Sequence, residues 1–228
     1  MTYYRIQEAD TTCKRCPMSS GCSVFGQSEV PLGSVSLIVV SAYPGKEEVK
    51  QNVSLAAATD DTFNAGKFFR YSIASVFDSD ERIPPSMKPF VKRIFITNAV
   101  KCSPKSDVKQ TYIDKCRDWL DIEIGKMPEG VPILIAASEA VKSLLGKGES
   151  LYANRRVVHQ IGSHPAVVTF NPIEPLRYSL ELEKGKDSKS KIPNFWKPIP
   201  YGEMRWHYLN DLKLVKDLVV DYIGNRNV

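Results

Sequence analysis

Cys13 and Cys16 form a C-x-x-C pair in the segment Thr12-Cys13-Lys14-Arg15-Cys16-Pro17-Met18-Ser19-Ser20-Gly21-Cys22, and Cys102 and Cys116 follow much later in the chain. Thiolates are soft ligands, and four of them from two separated segments suit a tetrahedral zinc ion or a [4Fe-4S] cluster; spacing does not choose between the two. The alternative for Cys102 and Cys116 is that they are ordinary small buried residues. Cys22 is the spare. An odd number of cysteines, behind an N-terminus with no apolar signal core, argues against a disulfide framework and for a cytosolic, cytoplasmic setting.

These cysteines have to be brought together by a fold, and its elements are legible. Val35-Ser36-Leu37-Ile38-Val39-Val40-Ser41 is a near-continuous apolar run of the kind that forms a strand covered on both faces. Similar runs occupy Arg93 to Thr97, Pro132 to Ala136 and Ala166 to Phe170. Helical periodicity fills Asn64 to Phe77, Val108 to Ile124 and Ala137 to Leu145, with Gly146 as a C-cap. Alternating strands and helices predict an α/β fold with a four-stranded parallel sheet covered on both faces. Ligands then bind outside the carboxyl ends of the strands. The segments to examine are therefore Ser41-Ala42-Tyr43-Pro44-Gly45, Asn98-Ala99-Val100, Ala137-Ser138-Glu139 and Asn171-Pro172-Ile173.

Residues 1–228, 43% hydrophobic, are enough for one domain with a sizeable core. No apolar stretch approaches the length of a membrane span. Lys and Arg outnumber Asp and Glu by 31 to 26, a balance compatible with a polyanionic partner or with a mildly basic surface. The lysine-rich, proline-containing stretch 183–200 reads as a loop within the domain, and Glu203 to Ile223 as a terminal helix packed on the sheet.

Taken in order, the C-x-x-C, the strand ending in Pro44-Gly45, Ala65-Gly66-Lys67, Ile96-Thr97-Asn98-Ala99-Val100-Lys101-Cys102 and Cys116-x-x-Trp119-Leu120 resemble the iron-sulfur branch of the uracil-DNA glycosylase superfamily. The likeness continues through Ala140 to Gly146 and Thr169-Phe170-Asn171-Pro172 to Arg177. It implies a three-layer α/β/α sandwich, monomeric, with a structural [4Fe-4S] cluster on Cys13, Cys16, Cys102 and Cys116. It also implies an enzyme that flips a base out of DNA and reads its edge with the amide of Asn98. Without the family, Asn98 is a turn residue at a strand end.

The catalytic motifs depart from the uracil-specific pattern. That pattern has Gly-Glu-x-Pro-Gly after the first strand, where this chain has Ser41-Ala42-Tyr43-Pro44-Gly45; Ala42 replaces the carboxylate. Its second motif begins His-Pro, here Asn171-Pro172, and an amide still donates to a base oxygen as charge builds there. His159, His164 and His207 all miss the family's catalytic position. A broader-specificity subfamily uses an aspartate further downstream, which makes Asp60 and Asp61 the candidates to orient water, ahead of Glu47 and Glu48. Phe63 matches the ring that stacks on the flipped base, and Tyr43 stands beside the same pocket. Leu176 and Arg177 match the wedge and the phosphate contact, with Lys67, Ser138 and the lysines from 184 to 191 as further backbone contacts.

The resemblance implies a monofunctional DNA glycosylase that removes uracil or, given the altered motifs, another modified pyrimidine. Repair, or defence against modified viral DNA, is the expected setting. A non-catalytic DNA-binding module that keeps the fold and cluster is the second reading. A zinc-clasped α/β protein unrelated to glycosylases is the third.

Overall fold

The structure, a computed structural model, describes residues 3–6, 13–17, 23–59, 64–104, 107–177 and 201–226. Asp60, Asp61, Phe63, Cys22 and the basic loop 183–200 lie outside the described residues.

Five strands form one sheet in the order β2-β1-β3-β5-β4. They are β1 (Leu37–Ser41), β2 (Ile94–Asn98), β3 (Ile133–Ile135), β4 (Val158–Ile161) and β5 (His164–Val168). The four expected strands are present and parallel, with Val39 opposite Ile96 on one side and Leu134 on the other. Every residue of β1, β2 and β3 is buried, which is why their sequences are continuous apolar runs and not alternations. The structure adds β4, antiparallel to β5. Its residues alternate between exposed and half-buried, and Gly162, at φ +59°, makes the turn into β5.

Helices α1 (Lys46–Gln51), α2 (Ala65–Ile73), α3 (Gln110–Gly125), α4 (Ser138–Leu144), α5 (Leu151–Asn154) and α6 (Tyr201–Arg226) surround the sheet. Crossovers between parallel strands are right-handed, so the reversal of direction after β2 puts α1 and α2 on one face and α3 and α4 on the other. The terminal helix joins the first face, where Tyr208 meets Phe68 at 5.5 Å between ring centroids. Its fully buried Tyr208, Leu212, Val215 and Val219 recur at helical spacing along one stripe. The result is the expected three-layer α/β/α sandwich. Among the described residues no helix is long and apolar enough to cross a membrane.

An ion pair inside this sandwich fixes the end of β2. Lys101 Nζ lies 2.6 Å from Glu123 Oε2 of α3, and the two side chains are 2% and 0% exposed. The ammonium also donates to Thr97 Oγ1 at 2.8 Å and to the Asn98 carbonyl at 2.7 Å. Glu123 in turn accepts from Thr97 Oγ1 and from the Gly26 amide, at 2.6 and 2.7 Å. Each charge is thus surrounded by partners, as a buried charge must be.

Lys101→Met removes the cation and leaves Glu123 buried without its counterion. It should cost roughly 3–5 kcal/mol. Urea unfolding measures this, and a midpoint equal to that of the wild type would show the pair to be dispensable.

Candidate active site

A cleft of about 480 Å³ opens at the carboxyl ends of the strands. Its floor and walls come from Ser41 to Gly45 after β1, Ala137 to Glu139 after β3, and Asn171 to Arg177 after β5. Connections from β1 and β3 diverge here, and the point where strand order reverses is where open α/β sheets bind ligands. A second hollow, about 340 Å³, lies at the opposite end of the sheet between Gly130, Pro165 and Tyr222. No loop at a carboxyl strand end contributes to it, which makes the first cleft the candidate site. His164 sits at that far end too, its Nδ1 2.9 Å from the Val131 carbonyl.

One carboxylate is built into the inner wall, and it is Glu48. The short helix α1 is polar except for Val49, and its third residue turns back to accept the Gly45 amide at 2.6 Å on Oε2. Oε1 accepts the Leu55 amide, also at 2.6 Å. Leu55 (φ 48°) and Asn52 (φ 52°) both occupy the left-handed region, and that double turn brings the Leu55 amide inward. Burial pushes the Glu48 carboxyl above its ordinary value, while hydrogen bonds from Gly45, Leu55 and, most weakly, Asn98 pull it back down. The sequence placed Asp60 and Asp61 ahead of Glu48 because a related subfamily uses an aspartate downstream of its first motif.

Asn98 closes β2 with no exposed surface. Its Nδ2 donates to Ser54 Oγ at 3.0 Å, whereas its Oδ1 is buried without a partner. Ser54 is itself clamped by Gln27, which donates to the Ser54 carbonyl at 3.1 Å and accepts the Ser54 amide at 3.3 Å. Behind this loop α2 starts in close contact. Asn64 caps the helix by accepting the Lys67 amide at 3.0 Å and donates to the Ala56 carbonyl at 2.8 Å. Gly66 is required by that approach, because a Cβ there would lie 2.3 Å from the Ala56 carbonyl oxygen.

The outer wall follows β5. Arg155 and Asp211 of α6 pair at 2.9 Å, and Asp211 also accepts Thr169 Oγ1 at 2.9 Å, so the strand end is tied to the terminal helix. Two residues on, Asn171 accepts the Ile173 amide on Oδ1 at 3.1 Å, which leaves its NH₂ as the donor end. Glu174 in the helical turn 173–177 lines the cleft, and so does Glu139. Burial, and then the negative charge of Glu139, raise the Glu174 carboxyl from its ordinary 4.5 to about 7, against the pull of Arg177. The Tyr43 hydroxyl is pushed up by burial first and by Glu139 second. Tyr43, Glu139, Glu174 and Arg177 therefore form one electrostatic group at the mouth. Neither Glu139 nor Glu174 figured among the sequence candidates; the signal for Glu174 was its place three residues beyond Asn171.

Of the remaining candidates, Ala42 and Tyr43 line the cleft and Ser138 is exposed at its rim. Lys67 is half-buried in the first turn of α2, next to the lining residues Asn64 to Gly66 but not itself part of the lining. Arg177 is exposed at the mouth. Leu176 corrects the expectation of a wedge: it is 4% exposed and packs into the main core, so it has no apolar surface to offer DNA here.

Cys102 and Cys116 are buried, Cys13 and Cys16 half-buried. The Cys13-to-Cys16 loop is held against α3, the helix that carries Cys116, by Arg15, which stacks 4.3 Å from the Trp119 ring centroid and pairs with Asp118 at 3.3 Å. Burial raises the Cys116 thiol against the pull of Lys101, and Cys16 and Cys102 add smaller rises. Among the described residues no group of three or more His, Cys, Asp or Glu is arranged to hold a metal ion. Four thiols are the donor chemistry that a [4Fe-4S] cluster takes.

The family model described as the uracil DNA glycosylase superfamily matches residues 28–197. No curated protein matches the chain.

Two stability measurements test this geometry. Gly66→Ala should destabilise the fold by about 2 kcal/mol or more, because the obstructing atom is backbone and cannot swing away; an unchanged melting temperature would refute the close approach. Glu174 has a raised carboxyl, so between pH 4.5 and about 7 the folded chain keeps a proton that the unfolded chain has released. Stability contributed by the neutral form is present at low pH and lost as pH rises through that window. Glu174→Gln should thus gain on the order of 2 kcal/mol over the wild type at pH 8, with no difference at pH 4. Chemical unfolding at the two pH values decides it.

Proposed function

The chain belongs to the uracil-DNA glycosylase superfamily, and from that premise we propose that it is a monofunctional DNA glycosylase acting on uracil or, in view of its altered motifs, another modified pyrimidine. The observation that carries the proposal is that one cleft is lined by both the half-buried Glu48 carboxylate, held by the Gly45 and Leu55 amides, and the Asn171 amide.

The cleft lies below the protein surface, so a base reaches it only after leaving the helical stack. Asn98 then meets the edge of the base, and Tyr43 at the mouth together with Phe63 provides the aromatic faces against which it stacks. Breaking the N-glycosidic bond leaves positive charge on the sugar and negative charge on the base. Glu48 supplies the nearby negative charge and holds the water whose oxygen bonds to C1′, while the Asn171 NH₂ donates to the base oxygen as its charge grows. The bonding pair of the broken bond departs with the base. The water gives up one proton, the base anion takes one up, and the products are an abasic site and the free base. Glu48 fills this role only when ionised, and its hydrogen bonds to Gly45 and Leu55 favour that state. Arg177, Lys67 and Ser138 serve the DNA backbone. Removing a modified pyrimidine suits repair, or defence against viral DNA that carries such bases.

Cys13, Cys16, Cys102 and Cys116 would hold a [4Fe-4S] cluster that clasps the N-terminal segment to α3. Such a cluster would supply a structural cross-link, with no part in the hydrolysis.

Excision is measured on oligonucleotides carrying uracil, hypoxanthine, xanthine, hydroxymethyluracil or hydroxymethylcytosine, with alkali to cleave the abasic sites. At least one should be cut, and Glu48→Gln and Asn171→Ala should each lower the rate by about 10²-fold or more without loss of DNA binding. Binding without any cleavage favours a non-catalytic DNA-binding module. The cluster is tested separately: purified protein should be brown with broad absorbance near ~400 nm, and Cys116→Ser should bleach it. A colourless protein containing zinc would refute the iron assignment.

A further inference from the structure

The residue at the wedge position is not free to act as a wedge. Leu176 is packed into the main core, so this residue offers no apolar plug for the gap that a flipped nucleotide leaves in a duplex, and an unplugged gap favours the base's return. A single strand has no such gap to hold open. Charge at the mouth points the same way, because the carboxyl groups of Glu47, Glu48, Glu139 and Glu174 line the cleft against the cations of Lys46 and Arg177. A duplex brings two rows of phosphates to that rim, and a single strand brings one.

What a single strand asks of a protein is a flat aromatic face for an unpaired base, with a cation beside it. Both stand outside the cleft, on its β5 side. Trp206 of α6 is 57% exposed, although an indole of that size has much to gain from burial. Its ring meets the His207 ring edge-on at 4.9 Å between centroids, and the Arg156 guanidinium lies 5.8 Å from the Trp206 centroid. Arg156 donates to His207 Nδ1, and its backbone, at φ 63°, occupies the left-handed region that an arginine seldom adopts. Val157 and Val158, next in the chain, are exposed as well. This platform stands at the cleft's end of the sheet. Val158 pairs with Val167 and Arg155 bridges to Val168, the last residue of β5, and three residues later Asn171 lines the cleft. Asp211 binds Arg155 and Thr169 and so ties α6 to the same point.

We propose that the chain takes single-stranded DNA in preference to duplex, and that Trp206 and Arg156 form a second binding site outside the cleft, where an unpaired base flanking the target stacks on the indole and its phosphate meets the guanidinium. The proposal rests on the glycosylase reading for what the cleft holds; the platform stands on its own exposure, charge and position.

Fluorescence anisotropy of the full chain tests this, on a labelled single strand and a duplex of the same sequence, both free of modified bases so that binding is read apart from excision. The single strand should bind about tenfold tighter than the duplex. Trp206→Ala should lose about tenfold of the single-strand affinity and leave the duplex affinity in place, whereas Trp206→Phe keeps an aromatic face and most of the affinity. Arg156→Gln should lower the slope of log affinity against log salt on the single strand by about 0.7, a slope that Trp206→Ala should not move. Both side chains are at the surface, so thermal melts of the variants should match the wild type. Tighter binding of the duplex, or a Trp206→Ala protein with wild-type affinity for the single strand, overturns the proposal. So does a DNA-free dimer, seen by light scattering, that Trp206→Ala dissociates, since the patch would then belong to a second copy. The predicted single-strand preference without excision of any base upholds it and removes the glycosylase activity instead; excision from duplex by a chain that binds single strands more weakly does the reverse.

Discussion

A polar side chain at the end of a central strand, sealed from water, is tolerable only where its bonds are supplied from within, and Asn98 is such a residue. Its backbone carbonyl takes the Lys101 ammonium, its amide nitrogen donates to Ser54, and the Glu48 carboxyl feels the same amide. Each holder needs its own support. Lys101 requires Glu123 on α3, Ser54 requires Gln27 in the N-terminal segment, and Glu48 requires the amides of Gly45 and Leu55. Three parts of the chain that share no sequence neighbourhood are thereby committed to one atom's position.

The two walls of the cleft are secured by different means. The inner wall is a web of backbone amides around a carboxylate, closed from behind by a glycine against which no side chain fits. The outer wall is braced through side chains, with Arg155 and Asp211 tying Thr169 to α6 and Arg155 stacking 4.1 Å from the Phe170 ring centroid. A web of amides holds its shape independently of charge, whereas the outer wall, with Glu174 near neutrality, shifts with its electrostatic surroundings.

Much of the fold was legible because burial on both faces leaves a strand no option but apolar residues: Leu37 to Val40 and Ile133 to Ile135 announce themselves. Strand β4 did not, since Val158-His159-Gln160-Ile161 buries one face only in part. Asn98 and Asn171 were singled out through the order of motifs; Asn98 ends β2, and Asn171 follows β5 by three residues and lines the cleft. The position of Glu48 in the cleft has a conformational reason that its sequence does not show. Its burial depends on left-handed backbone at Asn52 and Leu55, and leucine gives no hint of such a conformation. Leu176 misled in the opposite direction, because an apolar residue near a binding loop has the same letter whether it faces DNA or the core.

The clamp on Ser54 comes from a segment made early and satisfied late. Gln27 bridges to Ile96, the Val24 amide reaches the Lys101 carbonyl, and the Gly26 amide reaches Glu123. During synthesis those groups emerge with nothing to bind until β2 and α3 have followed them out. Contacts so distant in sequence close slowly, after local helices and their neighbours. The order of assembly therefore sets the Asn98 amide near the end of folding, once the sheet that carries it is already in place.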